Sequence, residues 1–173
     1  MFEPKDFARI TDEDWEKMWT ANFMSGARLS RHYFPLMLQK NAGRVLFISS
    51  ESAVQIPAEM IHYGVTKTAQ VALARGMAET AVGTAVTVNS VLVGPTRSEG
   101  VGTFLKQLAE KDKVTEADIE RDFFKNARGT SLLKRFIHPE EVGAFVSFLA
   151  SDEASAITGS ALRVDGGVTK AII

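Results

Sequence analysis

The stretch Gly43-Arg44-Val45-Leu46-Phe47-Ile48-Ser49-Ser50 carries the strongest fold signal in this chain. Its centre, Val45–Ile48, is a short apolar run that starts just after a turn at Gly43 and ends at two serines. A run of this length without polar alternation predicts a strand that is buried on both faces, as in a parallel sheet. Such a strand needs helices on both faces of its sheet, which the rest of the sequence has to supply.

Two helices with different surfaces flank this strand. Thr11-Asp12-Glu13-Asp14 has the spacing of a capping box and opens a helix predicted over 12–39. Its apolar stripe, which also carries Asn22, comprises Trp15, Met18, Trp19, Phe23, Gly26, Leu29 and Tyr33. The helix predicted over 63–81 is rich in alanine and glycine, and small residues let helices approach closely. It is expected to lie between other elements, or between subunits.

The remaining elements continue the alternation of helices and strands. The segment 50–62, which Pro57 interrupts, is expected to be a loop, and strands are predicted over 86–92 and 161–164. Between these two strands the sequence predicts three helices, over 101–111, 115–127 and 139–150. Strands that alternate with helices imply parallel pairing and right-handed crossovers. The expected fold is one three-layer α/β domain over residues 1–173.

Composition excludes several classes of function. The 20 Lys and Arg nearly balance the 21 Asp and Glu, so no positive excess points to nucleic acid or to a membrane surface. No apolar run is long enough to span a bilayer, and the start does not have the pattern of a signal peptide. Cysteine is absent, which excludes disulfides and fits a cytoplasmic location. No metal site is predicted.

Tyr63 and Lys67 are the first candidate catalytic pair. Their four-residue spacing places a phenol and an ammonium on one face of the predicted helix. A nearby cation favours the ionised form of a phenol, whose ordinary pKa of ~10 makes it a poor base at neutral pH. Ser50 ends the preceding strand, where a hydroxyl can reach a substrate oxygen. A surface pair without chemistry is the alternative interpretation of Tyr63 and Lys67.

Four ordered motifs make the chain resemble the short-chain dehydrogenase/reductase family. They are Arg44–Ser50, Tyr63-x-x-x-Lys67, Val88-Asn89-Ser90-Val91-Leu92-x-Gly94-Pro95-Thr96 and Val164-Asp165-Gly166-Gly167. The resemblance covers about Phe2 to the C-terminus and implies a Rossmann-like parallel sheet. It also implies an enzyme that interconverts an alcohol and a ketone or aldehyde by hydride transfer with NAD or NADP.

The resemblance assigns roles to individual residues. Tyr63 would be the general acid/base, Lys67 would lower the pKa of Tyr63 and bind the nicotinamide ribose, and Ser50 would hold the substrate oxygen. Asn22 matches the family's helix asparagine, which positions a water in a proton relay to the lysine. The loop of Gly94, Pro95, Thr96 and Ser98 would meet the nicotinamide, with Gly94 allowing close approach of the backbone. Val93 replaces a proline that is usual there, and Ser98 stands where threonine is common.

The sequence gives less specific indications for other residues near the site and for partners. Glu51 and His62 adjoin catalytic positions in sequence and are not predicted to be catalytic. The loop 51–62 and helices 101–127 are expected to shape a partly apolar pocket through Ile56, Met60, Phe104, Leu108, Phe123 and Phe124, unless these only pack. The family associates through helices that match 12–39 and 63–81, so a homo-oligomer is expected.

One part of the family pattern does not occur in these residues. Family members begin with a strand, a glycine-rich turn and a helix whose N-terminus binds the pyrophosphate. Nothing before Tyr63 has that pattern, so the Rossmann-like sheet is expected to be partial. The strand over 45–48 would then have an open edge and an uncovered apolar face.

Two alternative functions stay open at this point. The first is a truncated family relative without catalysis that acts as an oligomeric or partner-binding module, because the phosphate-binding turn does not occur. The second is a nucleotide-sugar epimerase or dehydratase, which shares Tyr-x-x-x-Lys and a resident NAD. The Val-Asp-Gly-Gly and Gly-Pro-Thr motifs favour the simpler reductase branch over this second alternative.

Overall fold

The computed structural model describes residues 1–172 and shows an α/β arrangement. The helices are α1 (Asp12–Trp19), α2 (Ser25–Lys40), α3 (Ile61–Thr80), α4 (Glu99–Asp112), α5 (Glu116–Asn126) and α6 (Pro139–Ala150). The strands are β1 (Gly43–Ser50), β2 (Val86–Val93) and β3 (Ala161–Val164). Every predicted helix and strand is present, with ends shifted by at most two residues.

The three strands form one parallel sheet in the order β1-β2-β3. The register pairs Ser50 with Val93, and Val93 with Val164, so all three strands end on one line. The loops that follow the strands therefore leave the same edge of the sheet side by side. In open α/β sheets this carboxyl edge is where ligands bind.

Helices cover both faces of the sheet, which gives the three layers that the sequence predicts. On one face, Phe47 of β1 and Val88 of β2 pack with Phe34 of α2 and Ala74 of α3. On the other face, Val91 of β2 packs against Leu149 of α6 and its neighbours. Side chains of β1 and β2 alternate between the two clusters because successive residues point to opposite faces.

The long N-terminal helix departs from its prediction at one turn. Residues Thr20–Met24 form a π-helical turn between α1 and α2, so the predicted helix over 12–39 is interrupted. The amide of Ser25 donates to the carbonyl of Thr20, five residues earlier, and this adds one residue to the turn. One added residue rotates the later side chains by about 100° around the axis. The predicted apolar stripe is therefore not one buried face: Met18 is buried before the turn, whereas Leu29 and Tyr33 after it are exposed.

The expected open edge is present at β1. Within residues 1–172, β1 pairs only with β2. A groove of about 340 Å³ runs between this free edge and α2, and its lining includes Leu29, Tyr33 and Phe47. Leu29 is 61% exposed and Tyr33 is 52% exposed, so apolar surface faces outward here. The strand therefore lacks a neighbour and a cover on this side.

The helical pair α4 and α5 has its own small core. Phe124 is 2% exposed and packs with Leu105 and Phe136, and Phe123 stacks on Phe136 at 5.0 Å between ring centroids. Phe124 is thus a packing residue. Phe104 and Ile56 are exposed. No helix in the described part of the chain is long and apolar enough to cross a membrane.

Candidate active site at the carboxyl edge of the sheet

Helix α3 brings Tyr63 and Lys67 to the carboxyl end of β1. The helix begins at Ile61, directly after a short 3-10 turn at Ala58–Met60, so Tyr63 lies in its first turn and Lys67 one turn later. The ammonium nitrogen of Lys67 lies 5.8 Å from the centroid of the Tyr63 ring. The predicted pairing of these two side chains is present, with the cation over the ring face.

Lys67 is held by two neutral acceptors. Its Nζ donates to the backbone carbonyl of Ile48 at 3.0 Å and to Oε1 of Gln70 at 3.2 Å. Burial lowers the pKa of Lys67 to about 8, because desolvation disfavours the charged ammonium. An ammonium has three donors, so one N–H remains for a ligand after these two bonds within residues 1–172.

The pKa of Tyr63 is raised above its ordinary value, mainly because burial disfavours the phenolate. The hydroxyl of Ser50 and the charge of Arg128 lower this pKa, and the charge of Glu51 raises it. The sequence-based expectation of a lowered phenol pKa is therefore not met in this structure. Desolvation outweighs the favourable interactions around the ring.

Ser50 and Glu51 form a charged flank that the sequence did not predict. The hydroxyl of Ser50 donates to Oε2 of Glu51 at 2.5 Å and accepts from the amide of Ser52 at 3.1 Å. The other carboxylate oxygen, Oε1, accepts from Nε of Arg128 at 3.1 Å. Glu51 is 5% exposed, so its charge is buried and compensated by Arg128.

Arg128 follows α5 and reaches this flank from 77 residues away in sequence. Its Nη1 also donates to Glu59 at 3.1 Å, and its guanidinium lies 6.0 Å from the centroid of the Phe123 ring. Glu51, which is not predicted to be catalytic, thus contacts the candidate catalytic Ser50 directly. The only sequence signal for this contact was the position of an acidic residue directly after that serine.

Asn22 lies in the π turn and is 6% exposed. Its side-chain amide donates to the carbonyl of Met1 at 2.9 Å and to Oγ1 of Thr66 at 3.2 Å. Its backbone carbonyl accepts from Nε2 of Gln70 at 2.5 Å. Asn22 therefore connects to Lys67 through Gln70, a residue that the sequence did not single out.

His62 is buried at the start of α3 and packs edge-on against Trp15, with 5.9 Å between ring centroids. This contact agrees with its interpretation as a packing residue. No group of three or more His, Asp and Glu within residues 1–172 is placed to hold a metal ion.

The loop after β2 lies between the other two strand ends, but its side chains make local bonds. A Cβ built on Gly94 would lie 2.6 Å from the backbone of Asp165, so the close approach at Gly94 is to the Asp-Gly-Gly segment. Thr96 donates to the carbonyl of Gly94 at 2.9 Å, and Ser98 caps α4 by accepting from the amide of Val101. Pro95 accepts from the amide of Ile137 at 2.9 Å.

The residues present fit one end of a nicotinamide dinucleotide. The free donor of Lys67, the phenol of Tyr63 and the loop over 94–98 are polar groups that converge at the strand ends. The pyrophosphate end needs a glycine-rich turn at a helix N-terminus, and no such turn occurs before Tyr63 in these residues. The fit is therefore limited to the nicotinamide and its ribose.

Comparison with known proteins gives consistent matches over the whole chain. A family model described as Enoyl-(Acyl carrier protein) reductase matches residues 1–169. The chain is 45% identical over 172 residues to the uncharacterized oxidoreductase YvaG and 48% identical over 171 residues to the uncharacterized oxidoreductase YvrD, both of Bacillus subtilis (strain 168). These matches cover 99% of this chain and 65% of each relative, so the chain spans slightly less than two thirds of their length.

A solved structure that resembles this chain is also covered only in part. L-sorbose reductase from Gluconobacter frateurii, in complex with NADPH and L-sorbose, superposes with a TM-score of 0.90 at 26% identity. The superposition covers 99% of this chain and 64% of that chain. The sheet of this chain therefore corresponds to part of a larger fold.

Proposed function

Because this chain belongs to the short-chain dehydrogenase/reductase family, we propose that it is the catalytic part of an NAD(P)-dependent oxidoreductase. The reaction would interconvert a small-molecule alcohol and the corresponding ketone or aldehyde. The observation that carries this proposal is the convergence of Ser50, Tyr63 and Lys67 at one end of β1. The two most similar relatives described above are oxidoreductases by name.

Each side chain has a defined task in the proposed reaction. The hydroxyl of Tyr63 would give a proton to the substrate carbonyl oxygen, or take one from the alcohol. Lys67 would place its positive charge beside the ring and keep one N–H for the ribose of the cofactor. Ser50 would orient the substrate oxygen once its hydroxyl turns from Glu51, and would stabilise negative charge there.

The cofactor would be NAD or NADP, held by Tyr63, Lys67 and the loop of Gly94, Pro95, Thr96 and Ser98. When bound, it supplies or accepts the hydride. Since Thr96 and Ser98 make local bonds, they would have to contact the nicotinamide with their remaining hydrogen-bonding capacity or with backbone atoms. L-sorbose reductase, a structural relative, was solved with NADPH and a sugar substrate, which supports this cofactor class.

The test compares Tyr63→Phe with Tyr33→Phe, which changes the only other tyrosine. Nicotinamide-dependent turnover of a panel of alcohols and ketones is followed by absorbance, and binding of NADH and NADPH is followed by calorimetry. Tyr63→Phe is expected to lower turnover by about 10²–10⁴-fold while the cofactor still binds through Lys67 and the loop over 94–98. Tyr33→Phe should behave like the wild type. Undiminished turnover of Tyr63→Phe would refute the assignment.

A second candidate, an oligomeric or partner-binding module without catalysis, is favoured by the free edge of β1. In that case the 173-residue chain binds neither NAD(H) nor NADP(H), and calorimetry at micromolar concentration separates the two candidates. Binding would refute the module, whereas a flat titration together with no turnover would favour it. A cytoplasmic location remains a prediction from the sequence under both candidates.

Self-association through the helices over 12–39 and 63–81 is part of both candidates. It is supported by Leu29, Tyr33 and Leu36, which lie at helical spacing on α2 and are each at least 46% exposed. Leu29→Glu is expected to shift sedimentation velocity profiles towards the monomer. Val82→Glu is the matched control, because Val82 is 78% exposed and lies beyond the end of α3. Equal profiles for both variants would contradict this interface.

A further inference from the structure

Gln70 connects Lys67, three residues before it, with Asn22, 48 residues before it. Its Oε1 accepts from Nζ of Lys67 at 3.2 Å, and its Nε2 donates to the backbone carbonyl of Asn22 at 2.5 Å. The side chain is buried, with 8% of the residue exposed. Both ends of one amide are therefore used, one on the ammonium and one on the helix backbone.

The π turn explains why the carbonyl of Asn22 takes a side-chain donor. Two consecutive carbonyls of the turn are bound by side chains: Ala21 accepts from Oγ of Ser25 at 2.7 Å, and Asn22 accepts from Gln70. A widened turn shifts the backbone hydrogen-bond register, so carbonyl groups become available to such donors. π turns of this kind are frequent at functional sites.

We propose that Gln70 is a positioning residue that fixes Lys67 to the π turn at Asn22, and this inference rests on the proposed role of Lys67. The amide has no net charge, so it holds the ammonium without neutralising it. With the carbonyl of Ile48 as the second acceptor, Gln70 sets the place of Nζ beside the Tyr63 ring. The third N–H is left for the cofactor ribose.

A positioning role of Gln70 and a mere packing role have different consequences for the pKa of Lys67. A hydrogen bond to an ammonium stabilises its charged form, so removal of the acceptor disfavours that form. Simple loosening of the packing does the opposite, because it admits water and reduces the desolvation that now lowers the pKa of Lys67. When Gln70 loses its polar atoms, the positioning role predicts a lower pKa of Lys67, whereas a packing role predicts a higher one.

The other charged groups around Lys67 are few. The amino group of Met1 is close enough for the charge of Lys67 to contribute to its lowered pKa, after burial. Glu51 and Arg128 act on the neighbouring Tyr63 with opposite signs. A variant of Gln70 leaves Met1, Glu51 and Arg128 unchanged, so a change in the pKa of Lys67 reports on Gln70.

The experiment follows the NMR titration of Lys67 with labelled lysine in the 173-residue chain, with the resonance assigned by its loss in Lys67→Met. Gln70→Met keeps the length of the side chain and removes both polar atoms. It is expected to lower the pKa of Lys67 by about one unit, the loss of one hydrogen bond to a charged group. Gln70→Glu places an anion beside the ammonium and is expected to raise the pKa of Lys67.

Gln107→Met, on the exposed face of α4, is the matched control and should leave the titration unchanged. An unchanged or raised pKa of Lys67 in Gln70→Met would overturn the proposal, and so would an unchanged or lowered one in Gln70→Glu. The titration needs neither cofactor nor substrate. Failure of this inference is therefore distinguishable from failure of the proposed oxidoreductase, which the turnover and binding experiments test.

Discussion

The two flanks of Tyr63 are built from different chemistry. On one flank, Lys67 is a half-buried charge that two neutral groups hold, namely the carbonyl of Ile48 and the amide of Gln70. On the other flank, Glu51 is a buried charge that the opposite charge of Arg128 holds. A charge without a counterion responds to pH near neutrality, because desolvation shifts its pKa, whereas a paired charge responds to loss of its partner.

The largest effect is expected when the charged flank is broken with Arg128→Ala. The side chains of Arg128 and Glu51 are 11% and 6% exposed, so the variant leaves a buried carboxylate without a partner. Such a loss costs about 3–5 kcal/mol of unfolding free energy, measured by urea denaturation. Arg121→Ala, which removes a more exposed ion pair with Asp118, is the control and should change little. The double variant Arg128→Ala/Glu51→Gln should recover much of the loss, and the absence of recovery would contradict the buried-charge explanation.

The next largest effect is the pH dependence of the free energy of unfolding that results from Lys67 on the neutral flank. Folding lowers the pKa of Lys67 from 10.5 to about 8, so between these values the unfolded chain binds more protons than the folded one. Stability therefore rises with pH across this window, and the cost of the buried charge is fully present below pH 8. Relative to Lys67→Met, the wild type should gain about 3 kcal/mol between pH 8 and 10.5. Parallel pH curves for the two proteins would refute this account.

A smaller effect is expected on the pKa of Tyr63, which lies between the two flanks. The charge of Glu51 raises the pKa of Tyr63, and Arg128 lowers it. Glu51→Gln removes the charge that raises the pKa of Tyr63 and leaves that of Arg128, so the pKa of Tyr63 should fall. Ultraviolet titration in a Tyr33→Phe background reports on Tyr63 alone. Glu59→Gln, whose side chain is 51% exposed and also contacts Arg128, should produce a smaller shift.

The smallest effect is expected for the loop after β2. Ser98 caps α4, so Ser98→Ala should cost about 1 kcal/mol of unfolding free energy through loss of the cap. The pKa values of Tyr63 and Lys67 should stay unchanged, since the cap does not touch either side chain. A shift of either pKa would show that Ser98 acts on the catalytic groups as well.

Much of the fold was predictable from local sequence. The apolar run Val45–Ile48 marks β1, the capping box at Thr11 marks the start of α1, and Pro139 marks the start of α6. These signals are local, because a cap or an uninterrupted apolar run depends on residues within one turn or one strand. The order of elements then dictated parallel pairing, and the register of the strand ends confirmed it.

The π turn, Gln70 and Arg128 were not predictable in the same way. The widening at Thr20–Met24 adds one residue to a backbone turn, and no residue type in this segment marks it in the sequence. Gln70 reads as an ordinary polar residue on a helix, and Arg128 lies 77 residues from Glu51. Their roles depend on contacts between distant segments, which no local pattern encodes.

The sequence by itself determined the elements, their parallel order and the candidate set of Asn22, Ser50, Tyr63 and Lys67. Only the tertiary structure decided how these groups are charged and held. Burial, rather than the nearby ammonium, controls the pKa of Tyr63. The carbonyl of Ile48 that holds Lys67 and the guanidinium of Arg128 that compensates Glu51 come from other segments of the chain. The physical reason is that hydrogen bonding within a turn is local, whereas desolvation and ion pairing are properties of the folded surroundings.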